Sequence, residues 1–259
     1  KSNTTIMPEI NNYIIKTVKS LGNKHHRDEE GLFVAEGTKC VRDTWDAFNC
    51  RWLIASKIWY EQCGHAGHRE KLMFASKQQL DRMTQFNTAS EVIAVYEIPK
   101  YDINPAQVRK GLNIVLDNVQ DPGNLGTIIR LADWFGVSTV FCSPDCVDAF
   151  NPKVVQATMG AIFRVKVIYC NLPALCRRFK EAGLPVYGTF LNGTDIYTSK
   201  LSAAGLVLMG NESNGIGPEA GAEADERLLI PSFNGSRAES LNVAVATAVT
   251  LSEFRRRMI

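Results

Sequence analysis

The second half of the chain alternates short, almost continuously apolar runs with helical segments. The predicted strands are 112–116, 138–142, 163–168, 185–189, 206–209 and 227–230. A strand that is apolar on both sides must be covered on both faces, and parallel strands linked through helices are covered in this way. The sequence therefore predicts an α/β domain with a mostly parallel sheet between helices, ending in a helix over 241–257.

The first hundred residues also alternate, but in shorter pieces. An amphipathic stretch places apolar residues at helical spacing from Ile10 to Leu21; strands are predicted at 31–36, 51–56, 71–75 and 91–98, with helices over 37–48, 57–63 and 76–83. The segment 99–105 carries two prolines and little apolar periodicity, which favours a linker. A chain of 259 residues commonly divides in two. We expect a small α/β domain over 1–103, a linker over 104–110 and a larger domain over 111–259.

Composition limits the class of protein. Hydrophobic residues make up 45% and charged residues 22%, as in globular proteins, and no apolar run reaches the roughly 18 residues of a membrane helix. No signal-peptide pattern is found at the N-terminus, so a cytoplasmic location is expected. The seven cysteines are an odd number at irregular spacing, which favours reduced thiols over a disulfide framework.

Net charge says little about a polyanionic partner. Twenty-nine Lys and Arg against 27 Asp and Glu leave +2, so a phosphate-binding face must be a local cluster. Two clusters qualify, Lys24-His25-His26-Arg27 and Arg255-Arg256-Arg257. Each could equally be a solvated loop or helix end, and the C-terminal arginines suit the negative end of a helix dipole.

Several common chemistries lack support in the sequence. None of the glycine-rich segments matches a dinucleotide fingerprint or a phosphate-binding loop. All four histidines lie in the first domain, which disfavours Ser-His-Asp hydrolysis in the second. The segments Cys63-Gly-His65-Ala-Gly-His68 and Cys142-Ser-Pro-Asp-Cys146 lack the second half of a four-ligand zinc site, so we expect no metal.

Three polar loops, 116–130, 206–217 and 229–246, each follow a predicted strand directly. Ligands of open α/β sheets bind at the carboxyl ends of strands. In the first loop, Gly123 and Gly126 permit close backbone approach and Arg130 could hold an anion. An ordinary strand-to-helix turn capped by Asp121 or Asn124 is the competing interpretation.

The three loops resemble the three sequence motifs of the SpoU (TrmH) family of ribose 2′-O-methyltransferases, within the SPOUT class. The matching residues are Asn118-x-x-Asp121-Pro122-x-Asn124-x-Gly126-x-x-x-Arg130, then Gly210-Asn-Glu212-x-x-Gly215, then Ile230-Pro231 with Ser240-Leu241-Asn242-Val243-x-Val245-Ala246. The spacing from Ile230 to Ser240 is slightly longer than is usual in the family.

The resemblance implies a trefoil-knotted domain that binds S-adenosylmethionine and works as a homodimer. Arg130, Asn124, Glu212, Ser240 and Asn242 would then surround the substrate ribose and its phosphate. The cofactor would be bound by the four residues Gly210, Ile230, Leu241 and Thr189. We expect Arg130 to hold phosphate and oxyanion; its use as the base is the second choice, because a guanidinium keeps its charge.

The first domain is similar to the substrate-binding extension of these enzymes, a fold shared with small ribosomal RNA-binding proteins. The resemblance assigns RNA contacts to Lys24 and Arg27 and favours ribosomal RNA as the substrate. A transfer-RNA enzyme of the same family and a non-catalytic, cofactor-binding RNA assembly factor are the alternatives. Since all three motifs lie beyond residue 105, we expect 106–259 alone to dimerise and bind cofactor.

Overall fold

The computed structural model describes residues 10–63, 69–101, 104–233 and 239–259. They form two compact units. The first unit contains the residues up to Lys100 together with Phe150–Phe163, and the second contains Tyr101–Ala149 and Arg164–Ile259. This grouping differs from the sequence-based division, which assigned the whole of 111–259 to one domain.

The first unit is a four-stranded sheet covered by short helices. Strands β1 and β4 are antiparallel, β4 and β2 are antiparallel, and β2 and β3 are parallel, in the order β1-β4-β2-β3. The elements are α1 Asn12–Ser20, α2 Lys24–Glu30, β1 Leu32–Glu36, α3 Thr38–Thr44, β2 Cys50–Ala55, α4 Lys57–Cys63, β3 Leu72–Phe74, α5 Lys77–Met83 and β4 Val92–Glu97.

The helix α1 packs on this sheet through the apolar positions that the sequence predicted. Ile14, Val18 and Leu21 join Val34 and Ile93 in one buried cluster. Helix α5 begins at a capping box in which Ser76 and Gln79 satisfy each other's backbone N–H groups. The predicted strands of the first domain are therefore all present, with ends shifted by at most one residue.

The second unit contains a six-stranded sheet in which every neighbouring pair is parallel, as predicted. Strands β5, β6 and β9 are buried along their whole length, which explains their continuous apolar sequence. The elements are α6 Pro105–Val108, β5 Leu112–Leu116, α7 Pro122–Trp134, β6 Thr139–Cys142, β7 Lys166–Tyr169, α9 Leu172–Glu181, β8 Val186–Asp195, β9 Gly205–Met209, α10 Pro218–Gly221, β10 Glu226–Leu229 and α11 Val243–Arg256. Helix α8, Pro152–Ala157, belongs to the first unit.

Three predicted boundaries are wrong. The strand predicted over 185–189 continues to Asp195 as β8, because Thr194 and Asp195 pair again with β10. The strand predicted from residue 163 starts at Lys166, because Ala161–Phe163 forms a 3-10 turn after Gly160, whose φ of +89° ends the regular chain path. The predicted linker 104–110 contains the short helix α6, which Asn104 caps and Pro105 begins.

The strand order β10-β8-β9-β5-β6-β7 creates a crevice in the sheet. From β5 the chain moves outward to β6 and β7. It then crosses back to β8 and continues to β9, which lies between β8 and β5. The loops after β5 and β9 therefore leave neighbouring strands in opposite directions, which is where open α/β sheets bind ligands. The trefoil knot implied by the family resemblance stays a prediction.

The C-terminal arginines hold the second unit together and are not a phosphate-binding cluster. Arg255 donates to the carbonyls of Phe135 and Gly136, at the end of α7. Arg257 donates to three carbonyls, those of Ile196, Tyr197 and Ser199.

Glu253 compensates the charge of Arg256 and Arg257. Its carboxylate lies 2.8 Å from Arg256 Nε and 2.7 Å from Arg257 Nε. The hydrogen bonds from Arg256, and then those from Arg257, lower the pKa of Glu253 to about 2. The carboxylate therefore stays charged throughout the neutral range.

No helix in the described part of the chain has the length and apolar character to cross a membrane.

The segment Phe150–Phe163 is a structural part of the first unit. The Phe150 ring lies 4.7 Å from that of Phe33, and α8 packs on β1. Val154, Val155 and Ile162 are almost fully buried. A chain of residues 106–259 would expose these side chains to solvent, which counts against the expectation that it dimerises and binds cofactor on its own.

Phe150→Ala tests this role. We expect the unfolding free energy of the first unit to fall by about 3–5 kcal/mol, because the change removes a buried ring and leaves a cavity. Urea unfolding followed by tryptophan fluorescence measures it, since Trp45, Trp52 and Trp59 lie in this unit. Tyr13→Ala, at a side chain that is 62% exposed, is the matched control and should change little. Equal stability of the two variants would contradict the assignment of the segment.

Candidate active site

A cavity of about 710 Å³ opens at the carboxyl ends of β9 and β10, beside the middle of β8 and the first residues of α11. The second and third polar loops supply most of its wall. Its lining includes Thr189, Phe190, Leu191, Met209, Gly210, Glu212, Gly215, Leu229, Ile230, Phe233, Ser240, Leu241 and Val243. The structure therefore collects all four residues that the resemblance assigned to the cofactor, Gly210, Ile230, Leu241 and Thr189, around one cavity.

A chain of hydrogen bonds joins the three polar loops. The Asn124 amide nitrogen donates to the Glu212 carboxylate, and the Asn242 amide nitrogen donates to Asn124 Oδ1 at 2.9 Å. Asn124 therefore uses both ends of its amide, which fixes the orientation of the group. Asn242 Oδ1 in turn accepts from the backbone N–H groups of Ala244 and Val245 and so caps α11.

The start of α7 shows which of Asp121 and Asn124 caps the helix. Asp121 is the N-cap, and its Oδ1 accepts from Asn124 N at 2.8 Å. Asn124 is thus the third residue of the helix, and its side chain is available to the other loops. Pro122 occupies the first position, where a missing N–H costs nothing.

Arg130 lies further along the same helix and is exposed, although its neighbours Ile128 and Ile129 are buried. No described residue makes a hydrogen bond or ion pair with its guanidinium. Ser240 is exposed at the cavity and likewise has no hydrogen bond to another described residue. The cavity wall therefore includes Ser240 and Glu212, the end of the ordered amide–carboxylate chain, whereas Arg130 is not among the lining residues and lies six residues after Asn124 on α7.

Gly210 allows the second loop to fold back on itself. A Cβ at this position would lie 2.1 Å from the carbonyl carbon of Gly215 and 2.2 Å from Ile216 N. Asn211 and Gly215 exchange backbone hydrogen bonds of 3.0 and 2.8 Å. The turn closes only without a side chain at 210, and the bare backbone faces the cavity.

Three polar residues that the sequence analysis did not select hold the first two loops in place. Asp117 Oδ2 accepts from Gly217 N at 2.7 Å, and Asn211 Nδ2 donates to Asn118 O at 2.9 Å. Ser143 Oγ accepts from Asn118 N at 2.9 Å. A polar residue directly after a buried strand, as at Asp117 and Ser143, was the available signal for these contacts.

Cys142 and Cys146 lie beneath the first loop as buried thiols. The Val119 backbone N–H donates to Cys146 Sγ at 3.3 Å. The hydrogen bond with Cys142 is the main cause that lowers the pKa of Cys146 to about 7, and the same bond raises the pKa of Cys142. In the described part of the chain no third His, Cys, Asp or Glu joins a cluster that could hold a metal. The Cys63–His68 segment lies mostly outside the described residues.

The assignment of Arg27 as an RNA contact is wrong. Arg27 is 1% exposed, and its Nη1 donates to Leu21 O at 2.8 Å, which ties α2 to the end of α1. A buried guanidinium cannot reach a phosphate. Lys24 is exposed and forms an ion pair of 2.6 Å with Asp28 on the surface of α2, so it remains accessible to a ligand.

Both parts of the chain are similar to known proteins. The family model described as the SpoU rRNA methylase family matches residues 111–252, and the MRM3-like substrate-binding domain matches residues 12–94. The chain is similar to the Bacillus subtilis 23S rRNA (guanosine(2553)-2′-O)-methyltransferase RlmP, at 31% identity over 94% of this chain and 96% of the relative.

Two further similarities extend over almost the whole chain. The 23S rRNA (uridine(2479)-2′-O)-methyltransferase of Streptomyces viridochromogenes is 28% identical over 92% of this chain and 88% of its own length. The AdoMet-bound rRNA methyltransferase of Sinorhizobium meliloti has a similar structure, with a TM-score of 0.84 and 32% identity over 98% of this chain and 99% of that one.

Gly210→Ala tests the turn at the cavity. The added methyl group overlaps backbone atoms, which cannot move as a side-chain end can, so we expect a loss of about 1–3 kcal/mol in unfolding free energy. Gly111→Ala is the control in the same unit, since a Cβ there meets no atom within 4 Å. Urea denaturation compares the two, and a Gly210→Ala chain as stable as the control would contradict the assigned packing.

Proposed function

The chain belongs to the SpoU rRNA methylase family, and we propose that it transfers a methyl group from S-adenosylmethionine to a ribose 2′-hydroxyl of ribosomal RNA. The observation that carries this proposal is the Asn242–Asn124–Glu212 hydrogen-bond chain, with Arg130, which has no partner among the described residues, on the same helix as Asn124. The relatives that span both units, from Bacillus and Streptomyces, are named as 2′-O-methyltransferases of 23S rRNA. They support ribosomal over transfer RNA.

The cavity fits the cofactor in size and in the character of its wall. Its volume of about 710 Å³ lies within the range of small-molecule sites. Leu229, Ile230 and Leu241 offer apolar side chains and backbone to an adenosyl group, and the absence of a side chain at Gly210 leaves its backbone open. When bound, S-adenosylmethionine supplies an electrophilic methyl group on its sulfonium.

In this proposal Arg130, Asn124 and Glu212 bind and orient the substrate nucleotide. The guanidinium binds the phosphate and stabilises the negative charge that develops on the 2′-oxygen. The ordered Asn124 and Glu212 fix the ribose in line with the methyl group, which lowers the entropic part of the barrier. A role for Arg130 as the base would require the guanidinium to lose a charge that it keeps in proteins, so in this proposal the proton of the 2′-hydroxyl is released to solvent water as the methyl group is transferred.

The first unit supplies RNA affinity in the proposal. Its match to a substrate-binding domain supports this, and Lys24 on the surface of α2 is the cation that we assign to phosphate contact. Arg27 has a structural role and is not one of the proposed phosphate contacts. A cytoplasmic location is also proposed, on the ground that the bacterial relatives act on 23S rRNA.

We further propose a homodimer formed through α7 and α11. These helices pack together, and their outer surface exposes Trp134 at 83% and Val245 at 50%. A shallow depression beside them is lined by Phe135, Tyr197, Ala248 and Val249 among others. Such exposed apolar surface is typical of an interface. Trp134 follows Arg130 by one helical turn, so association there would lie next to the substrate residues.

Arg130→Ala is expected to reduce turnover by about 10²-fold or more, because it removes a donor to developing charge. Cofactor affinity should stay within a few-fold, and Arg130→Lys should recover little, since an ammonium lacks the planar fork. The measurement is methyl transfer from labelled S-adenosylmethionine to extracted rRNA and tRNA, followed by nuclease digestion and nucleoside mapping.

Arg178→Ala, an exposed arginine of α9, is the control with the same loss of charge. A methylated base instead of a methylated ribose would refute the proposed reaction. Methyl transfer to tRNA alone would shift the substrate to the transfer-RNA alternative. Cofactor binding with no transfer to either RNA would leave the assembly-factor alternative. Full activity of Arg130→Ala would remove Arg130 from the site.

Trp134→Glu tests the dimer. A buried tryptophan at an interface is often worth 2 kcal/mol or more, so we expect the dissociation constant to rise at least ~30-fold. Sedimentation velocity over a concentration series measures it, with the exposed Tyr13→Glu of the first unit as the control. A wild-type chain that stays monomeric at high micromolar concentration, or a dimer unaffected by Trp134→Glu, would contradict the proposed interface.

A further inference from the structure

The ladder between β8 and β10 is interrupted beside the cavity. Arg227 on β10 is opposite Gly188, but the next residue, Leu228, is opposite Thr194. Residues 189–193 of β8 are therefore not paired with β10 and form a bulge between two paired stretches. Three of these residues, Thr189, Phe190 and Leu191, form part of the cavity wall. Something other than strand pairing must hold this bulge in place.

Arg227 stands at the point where the register changes and contacts two residues of the bulge. Its guanidinium carbon lies 3.4 Å from the centroid of the Phe190 ring. Its Nη2 donates to Asn192 Oδ1 at 2.8 Å, and its Nε donates to Asn192 O at 3.4 Å. Among the described residues, no carboxylate forms an ion pair with Arg227, so these are the contacts that use its charge.

Two glycines leave room for the Phe190 ring. A Cβ at Gly188 would lie 2.5 Å from Phe190 Cε2, and one at Gly221 would lie 3.5 Å from the ring. The ring therefore occupies space that side chains at these positions would fill. The bulge is anchored at its start as well, since Thr189 Oγ1 donates to Leu208 O at 3.1 Å.

We propose that Arg227 is a positioning residue of the cavity: it clamps residues 189–193 so that Phe190 and Leu191 form a wall before the ligand arrives. The inference rests on the proposed function, in which this cavity binds S-adenosylmethionine. Arg227 itself does not line the cavity. A wall that is already ordered saves the entropy of ordering it on binding, so Arg227 acts on cofactor affinity through Phe190 and Asn192.

Arg227→Gln tests the clamp. We expect the Kd for S-adenosylmethionine, measured by isothermal titration calorimetry, to rise about 10-fold, the range of one cation–π contact and one charged hydrogen bond at a partly exposed site. The KM for the cofactor should rise in parallel, while kcat at saturating cofactor changes far less. Arg227→Lys should give an intermediate Kd, because it keeps the charge over the ring but loses the planar fork.

Arg178→Gln, an exposed arginine in the same unit, is the control and should bind the cofactor as the wild type does. A double-mutant cycle with Phe190→Leu adds a readout that general destabilisation would not give. The effect of Arg227→Gln on Kd should shrink when Phe190 is already replaced. Thermal unfolding of each variant checks that the chain is folded.

The outcomes separate the inference from the proposed function. If the wild-type chain binds no S-adenosylmethionine, the proposed function fails and the clamp falls with it. If the wild type binds but Arg227→Gln binds equally well, only the clamp is overturned. Additive effects of the Arg227 and Phe190 substitutions would also overturn it, as would a Kd change that exists only in variants with lowered thermal stability.

Discussion

The amide of Asn124 is the contact on which the geometry of the second unit's site depends. Its nitrogen donates to Glu212 and its oxygen accepts from Asn242, so one side chain joins loops that follow three different strands. An amide can satisfy both partners only in one orientation. The Asp121 side chain caps α7 by accepting from Asn124 N, which holds Asn124 at the third position of the helix, and the helix in turn sets the position of Arg130. A change in any one loop would therefore be felt at the other two.

Two sides of the cavity are built on different principles. On the β5 and β9 side, side chains bind to backbone, as Asp117 does with Gly217 and Asn211 with Asn118, and these short hydrogen bonds keep the loops close together. On the β8 and β10 side, the pairing of the two strands is interrupted, and the Arg227 guanidinium packs over the Phe190 ring. The cost of that interruption is offset by contacts of side chains such as Arg227.

The two units of the molecule are not two successive stretches of sequence. The segment Phe150–Phe163 lies between β6 and β7 in the chain but is buried with β1 and Phe33. Prolines at 99 and 105 indicated a break in the apolar pattern. Such a break does not show that all later residues belong to the second unit. Because the segment returns, the first unit owes part of its core to the second half of the chain.

The sequence by itself determined the parallel sheet, the short helices of the first unit and the collection of polar loops at one edge, since periodicity and apolar runs report which faces are buried. The tertiary structure alone decided how individual polar residues are used. Arg27 looked like a phosphate contact in a basic run, but it is buried and donates to Leu21 O. Arg255 donates to carbonyls that lie about 120 residues earlier in the chain. The partners of Asn124 are 88 and 118 residues away. Local patterns encode burial, whereas such pairings exist only once the path of the chain has brought distant loops together.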